Sequence, residues 1–319
     1  MSTVTDPTPP TPEATRTRRA RPRVSDRSRA EERLGWKLAM PAFVVMLLVT
    51  AYPILQAVWN SFFAYRLTDP GNREFVGLNN YIVSFSDSVF WSAMWATVLI
   101  TVITVVVELV LGFIIALVMH RIVLPRRTLR TIVLIPYSII TVVSGFTWLF
   151  MYRTDTGFVN RWTSWIPGVS ENYDWFGSFW PSIFVICLSE IWKTTPFMSL
   201  LLLAGLAQID TSMEEAAKVD GASWMQVLVK VILPNMKPAI MVAVLFRTLD
   251  AFRIFDNIFI MTGGANGTNS LSGLIYRQTI DRTEIGLGSA LSVILFLCVL
   301  AIAALFVRGF KVDLTQGRN

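Results

Sequence analysis

The chain has 319 residues, 53% of them hydrophobic and only 16% charged, with a mean hydropathy of +0.53. That is more apolar surface than a soluble core of this length needs, so the composition reads as a bilayer protein. A net charge of +6 would also suit a nucleic-acid binder, but the basic residues fall mostly between long apolar runs, as in a membrane protein, and no nucleic-acid partner is expected.

Residues 1–35 are rich in Pro, Thr and Arg and nearly devoid of large apolar side chains. They cannot bury enough surface to offset chain ordering, which predicts a disordered basic cytoplasmic tail. The polar part is too long for a cleaved signal peptide, and no small-residue cleavage site follows it.

Six apolar stretches come next, at about 38–62, 89–119, 132–151, 179–206, 238–261 and 287–307. Each is long enough to cross a hydrocarbon core, which takes roughly 20 helical residues. They lack the two-residue alternation of barrel strands, and an open sheet would leave its edge groups unpaired in lipid. The expected fold is therefore all-α, a polytopic membrane protein with six transmembrane helices over 36–308 and a second cytoplasmic tail at 309–319. With both termini inside, nineteen basic residues fall on the cytoplasmic side, and six lie in the opposite loops: Arg66, Arg73, Arg153, Arg161, Arg277 and Arg282. That bias sets the orientation. Trp59, Tyr65, Trp91, Tyr152, Trp175 and Trp180 gather near the outer ends, as an interfacial belt does.

The cytoplasmic loop at 208–237 is polar yet patterned. Thr211 with Glu214, or Ser212 with Glu215, makes a capping box, and Glu214, Glu215, Ala216 and Ala217 favour helix. Gly221 tolerates a left-handed stop. Trp224, Val227, Leu228 and Val231 then repeat at helical spacing until Pro234 interrupts them. The loop reads as helix, glycine corner, helix.

The string Glu214-Glu215-Ala216-Ala217-Lys218-Val219-Asp220-Gly221-Ala222, followed by Ile232-Leu233-Pro234, resembles the EAA loop of permease subunits in binding-protein-dependent ABC importers, in its sugar-permease form. Tyr52-Pro53 with Ser61-Phe62, Trp192-Lys193-Thr194-Thr195-Pro196-Phe197, and Phe255-Asp256-Asn257 with Met261-Thr262-Gly263-Gly264 are similar to signatures of the same family. The resemblance covers about 34–308. It implies a type I, MetI-like permease fold in the bacterial cytoplasmic (inner) membrane and a disaccharide such as trehalose as cargo. It further implies a second permease subunit, an ATPase dimer that carries ATP and Mg, and an extracytoplasmic sugar-binding lipoprotein as partners. The ATPase-coupling residues would be Glu214, Glu215, Ala216, Ala217, Asp220 and Gly221, with Glu215 facing an ATPase arginine. The short outer loops leave no room for the large periplasmic insertion of the enterobacterial maltose permease, so contacts made by that insertion do not carry over.

Spans four and five hold Glu190, Lys193, Arg247, Asp250, Arg253 and Asp256. A charge at mid-membrane costs roughly 2.5–3.5 kcal/mol on insertion scales, so each should face a partner or a cavity. Spacings of three allow the pairs Glu190–Lys193, Arg247–Asp250, Asp250–Arg253 and Arg253–Asp256 along one helix flank, which would merely neutralise the charges. Alternatively Glu190, Trp192, Lys193, Thr194, Asp250 and Asn257 line a substrate path, where carboxylates and amides bind sugar hydroxyls and an indole covers the ring. Glu108, alone in span two, reads as a neutral acid bonded to a neighbouring helix. Pro196 is expected to kink span four, and Gly263, Gly264 and Gly267 to form a flexible outer turn.

No phosphate-binding loop occurs, so this chain should bind no cofactor of its own and the energy must come from a partner. A membrane enzyme lacks support: the one histidine, His120, stands at a membrane boundary and no nucleophile with a base is evident. An ion-coupled secondary transporter, which could also use intramembrane acids, is the rival reading.

Overall fold

The computed structural model describes residues 26–121 and 126–309. The tails expected at 1–35 and 309–319 lie outside them, apart from their inner ends. Helix α1, Asp26–Asn60, is already formed at residues 26–35, where Arg, Ala and Glu are good helix formers. The unit ending at Leu55 is mostly this helix. Leu38, Val49, Tyr52 and Leu55 are all exposed along it, the apolar surround of a helix meant for lipid or another chain.

The second unit begins at Gln56. It opens with a hairpin of β1, Phe63–Arg66, and β2, Asp69–Phe75, paired antiparallel with Phe63 opposite Phe75. Short α2, Asn79–Ser86, leads into α3, Ser88–Arg121, the second span. The third span is not the continuous helix expected over 132–151. It is split into α4, Arg126–Ser138, and α5, Thr141–Tyr152, bent by 81°. Pro136 in the last turn of α4 has no N–H for the helix ladder, and Ile140 is extended at φ −57° and ψ 132°. With that bent pair counted as one, the helices long and apolar enough to cross a membrane number up to six among the described residues.

After the short α6, Val159–Thr163, comes α7, Phe179–Leu206, which runs unbroken through Pro196. In the turn before that proline, Thr194 and Thr195 donate to the carbonyls of Glu190 and Ile191. The loop beyond α7 forms α8, Thr211–Val219, and α9, Trp224–Val227. Pro234 does not interrupt the chain there. It stands near the start of α10, Leu233–Ala251, directly after a π turn at Leu228–Ile232 that joins α9 to α10, and this wider turn accommodates the bond its missing N–H cannot make.

The fifth span likewise differs from an even helix over 238–261. It starts earlier, breaks at 252–255, and resumes as α11, Asp256–Met261. The buried carbonyl of Ile254, freed by the break, is met by Ser270 Oγ at 2.7 Å, as irregular backbone at membrane depth requires. Then follow α12, Leu271–Tyr276, a π turn at Arg277–Asp281, and the last span α13, Ile285–Gly309.

Among the described residues, three apolar clusters hold the helices of this second unit. Ala116 and Met119 of α3 meet Met198, Leu202 and Leu206 of α7 and Met236 of α10. Ile100, Ile183 and Ile186 pack with Tyr152 of α5 and Ile258 of α11. Phe90 and Ala93 pack with Leu271 and Leu274 of α12 and Leu291 of α13. The α3–α7 approach depends on Gly112, where a Cβ would lie 2.8 Å from Met198 Cγ and 3.2 Å from the Ser199 nitrogen. Gly112→Leu should therefore destabilise the bundle by about 1–3 kcal/mol, as overpacking does, read as a lower thermal midpoint of the purified protein; an unchanged midpoint would show that the contact yields.

Candidate functional site

A charged cluster sits between α3, α7 and α10. Arg247 of α10 is 1% exposed and Glu108 of α3 is 0% exposed. Arg247 Nε donates to Glu108 Oε2 at 2.5 Å and Nη2 donates to Glu108 Oε1 at 3.0 Å, a two-pronged contact. The same Nη2 reaches Glu190 Oε1 of α7 at 3.0 Å, and Nη1 reaches Asp250 Oδ2 at 2.9 Å. Around this core, the one Thr194 hydroxyl proton is shared between Glu108 Oε1 and the Glu190 carbonyl, and Asn257 Nδ2 donates to Glu190 Oε2. Burying an arginine at this depth is tolerable because charge and hydrogen-bond geometry are met together.

Three sequence expectations change here. Glu108 is bonded to neighbouring helices as expected, but as the two-pronged partner of the Arg247 guanidinium rather than as a neutral acid. Lys193 does not pair with Glu190; its Nζ donates to Thr141 Oγ1 of α5 at 2.5 Å. Of the spacing-three pairs only Arg247–Asp250 forms among the described residues, and Arg253 Nε turns to the Leu249 carbonyl instead. Spacing along one helix can suggest neighbours, but it is blind to a better partner on another helix.

Against the cluster lies a polar cavity of about 410 Å³, lined by Tyr137, Thr141, Glu190, Lys193 and Thr194, and by Asp250 and residues 253–257. It forms where two spans break: Tyr137 and Thr141 flank the α4–α5 bend, and residues 253–257 carry the chain from α10 into α11. Of the expected path residues, Glu190, Lys193, Thr194, Asp250 and Asn257 line it and Trp192 does not. Trp192 lies about 200° around α7 from Glu190, given roughly 100° per helical residue; it meets Trp148 edge-on instead, at 6.0 Å. The aromatic side chains on the cavity are Phe255 and Tyr137; the latter, stacked on Phe197 at 5.4 Å, is not singled out by the composition of its span. The glycine turn is tied down: Arg277 donates to the Gly263 carbonyl, and Asn266 to that of Phe176.

The loop at 208–237 has the helix, corner and helix expected. Gly221 is left-handed at φ +76° with open space around it. The start of α8 differs: the cap is Asp210, whose carboxylate accepts from the Ser212 backbone N–H at 2.9 Å. The capping box belongs to α9 instead, between Ser223 and Gln226. Both helices offer such pairs of residues, and only the backbone path selects which is used. Ala217 and Ala222 rest on the cluster around Leu206, while Glu215, Ala216 and Asp220 are exposed beside Met213 and Val219, with Glu214 half-buried. Arg121, ending α3, lies over the Trp224 ring at 5.2 Å.

Residues 108–311 match the model of the family described as binding-protein-dependent transport system inner membrane component. The chain is 47% identical to the trehalose transport system permease protein SugA of Mycobacterium tuberculosis, over 88% of this chain and 90% of that protein. It is 37% identical to the trehalose/maltose transport system permease protein MalF of Thermococcus litoralis, over 87% and 94%. A bacterial ABC transporter involved in the import of the acidic polysaccharide alginate shares the fold, at a TM-score of 0.74 and 21% identity over 91% of this chain and 99% of that one.

The Ser212 N–H bond holds the Asp210 carboxyl below its usual range. A lowered value means that the cap stabilises α8 above the ordinary carboxylate range and is lost as pH falls through the folded value. Amide exchange at Ser212 and Met213 should therefore quicken in Asp210→Ala at neutral pH, and in the wild type on acidification. Asp210→Asn should keep the cap and lose the acid dependence. Equal protection in Asp210→Ala would show that the cap does not hold this helix.

Proposed function

The chain belongs to the binding-protein-dependent transport system inner membrane components, and we propose that it is a permease subunit forming half of the translocation path of an ATP-driven sugar importer, with a disaccharide such as trehalose as cargo. The observation that carries this reading is α8 with its left-handed Gly221 corner, a short helix displayed on a loop, with Ala217 and, past the corner, Ala222 resting on the bundle. The names of the relatives support the sugar, as does a cavity walled by carboxylates, an amide and a tyrosine, groups that bond hydroxyls and cover a ring.

In this proposal the tails and the 208–237 loop are cytoplasmic. An ATPase dimer, holding ATP and Mg, receives α8 through Glu214, Glu215, Ala216, Ala217, Asp220 and Gly221. A second permease completes the path, and an extracytoplasmic binding lipoprotein delivers the sugar. ATP closes the ATPase dimer and carries both coupling helices with it. The permease pair then rocks from inward-open to outward-open, and hydrolysis resets it. The membrane acids suit this better than an ion-driven cycle, because Glu108 and Glu190 are already engaged by Arg247.

Two results follow. Glu215→Lys reverses the charge offered to the ATPase, and Gly221→Trp forces a side chain into left-handed backbone; each should abolish ATP-driven uptake while membrane insertion persists, and normal uptake by both would refute the coupling role. Asp250→Ala should lower sugar uptake about tenfold, the size of one charge-assisted hydrogen bond, without preventing copurification of an ATPase and a second permease. A chain that purifies alone and concentrates sugar on an ion gradient would instead be a secondary transporter.

A further inference from the structure

We infer that Arg247, clamped from behind by Glu108 and anchored on Glu190, is a positioning residue that holds Asp250 in the orientation the cavity presents to its cargo. The inference rests on the reading of that cavity as part of the sugar path. Neither Arg247 nor Glu108 lines the cavity, and both are essentially without solvent exposure. They act, on this account, only through the side chains they hold.

A guanidinium has five N–H donors in a rigid plane. Two go to the two oxygens of Glu108, which fixes the plane of the fork relative to α3. With the plane fixed, one further donor points to Glu190 Oε1 and one to Asp250 Oδ2. The two acids are left in different states. Glu190 has one oxygen on Arg247 and the other on Asn257 Nδ2, so it is spent on orienting its neighbours. Asp250 is held by Oδ2 alone, its side chain is 65% exposed, and its Oδ1 accepts no bond from the described residues. Asp250 is thus the acid offered to cargo hydroxyls, in a rotamer set by Arg247. A lysine at 247 could supply the charge but not the fork, since an ammonium has no plane to fix.

The test uses the complete transporter, with its partner permease, ATPase and binding protein, in vesicles, with trehalose as the probe. Sugar uptake and ATP hydrolysis are measured together, with the melting temperature of each purified complex. Arg247→Lys and Glu108→Gln should each lower uptake about tenfold, the loss expected for one misplaced charge-assisted bond, and raise the ATP spent per sugar moved. Adding Glu108→Gln to Asp250→Ala should cost nothing further, because Glu108 works through the side chain already removed. Wild-type uptake by Arg247→Lys would overturn the inference, as would losses that multiply in the double variant. A fall in uptake matched by an equal fall in hydrolysis, with ATP spent per sugar unchanged, would also overturn it, whatever the melting temperature does, since that is what a merely structural ion pair produces; Glu108→Gln, which keeps size and polarity, decides this where Arg247→Lys fails to assemble. If Asp250→Ala alone transports normally, the cavity reading fails first and takes this inference with it.

Discussion

One buried guanidinium organises the centre of this bundle. A positive charge at membrane depth must be met by groups that are already in place, because neither lipid nor a reorganising solvent will meet it. Arg247 is met by Glu108 on α3, Glu190 on α7 and Asp250 on its own helix. The contacts bridge three spans at one level, and any sliding of α3, α7 and α10 past one another would strand a charge. Removing one partner of such a pair is far more damaging than never having had it. The cluster therefore acts as a pin within this group of helices, above the apolar packing of Met198, Leu202 and Met236 on the side of the 208–237 loop.

The breaks in the helices belong to the same arrangement. Irregular backbone is tolerated in a membrane only against protein or a water-filled space. Both broken spans, at 139–140 and 252–255, turn their loose ends toward the cavity beside Arg247. The bends bring Thr141 to Lys193 and Asn257 to Glu190, contacts that two straight helices would not have made in this form. Fold and site are thus one construction, in which the polar groups freed by broken helices become the wall of a polar pocket.

Much of this was legible in the sequence. The apolar runs reveal the spans because a bilayer demands their length, and the helix, corner and helix of the loop follow from Gly221 and the good helix formers before it. The charges within spans four and five mark the site because burying them has to be justified. What stayed hidden was partnership. Glu108 and Arg247 are 139 residues apart, and nothing local links them. Trp192 looked suitable by chemistry and lies on the far side of its helix, while Tyr137 was overlooked beside Pro136, whose effect on the backbone brings it to the cavity wall. The loop's caps show the same limit: Asp210 and Ser223 are chosen by the path of the backbone among several eligible residues.

The account turns on cargo meeting this cavity while the exposed loop helix is gripped by a motor on another chain. An electron cryomicroscopy structure of the assembled transporter, halted with sugar inside, tests both at once. The account predicts a sugar hydroxyl within hydrogen-bonding distance of Asp250, Glu108 still clamping Arg247, and α8 seated on the ATPase. Sugar density far from the α10–α11 break, or α8 standing free of the ATPase, would contradict it.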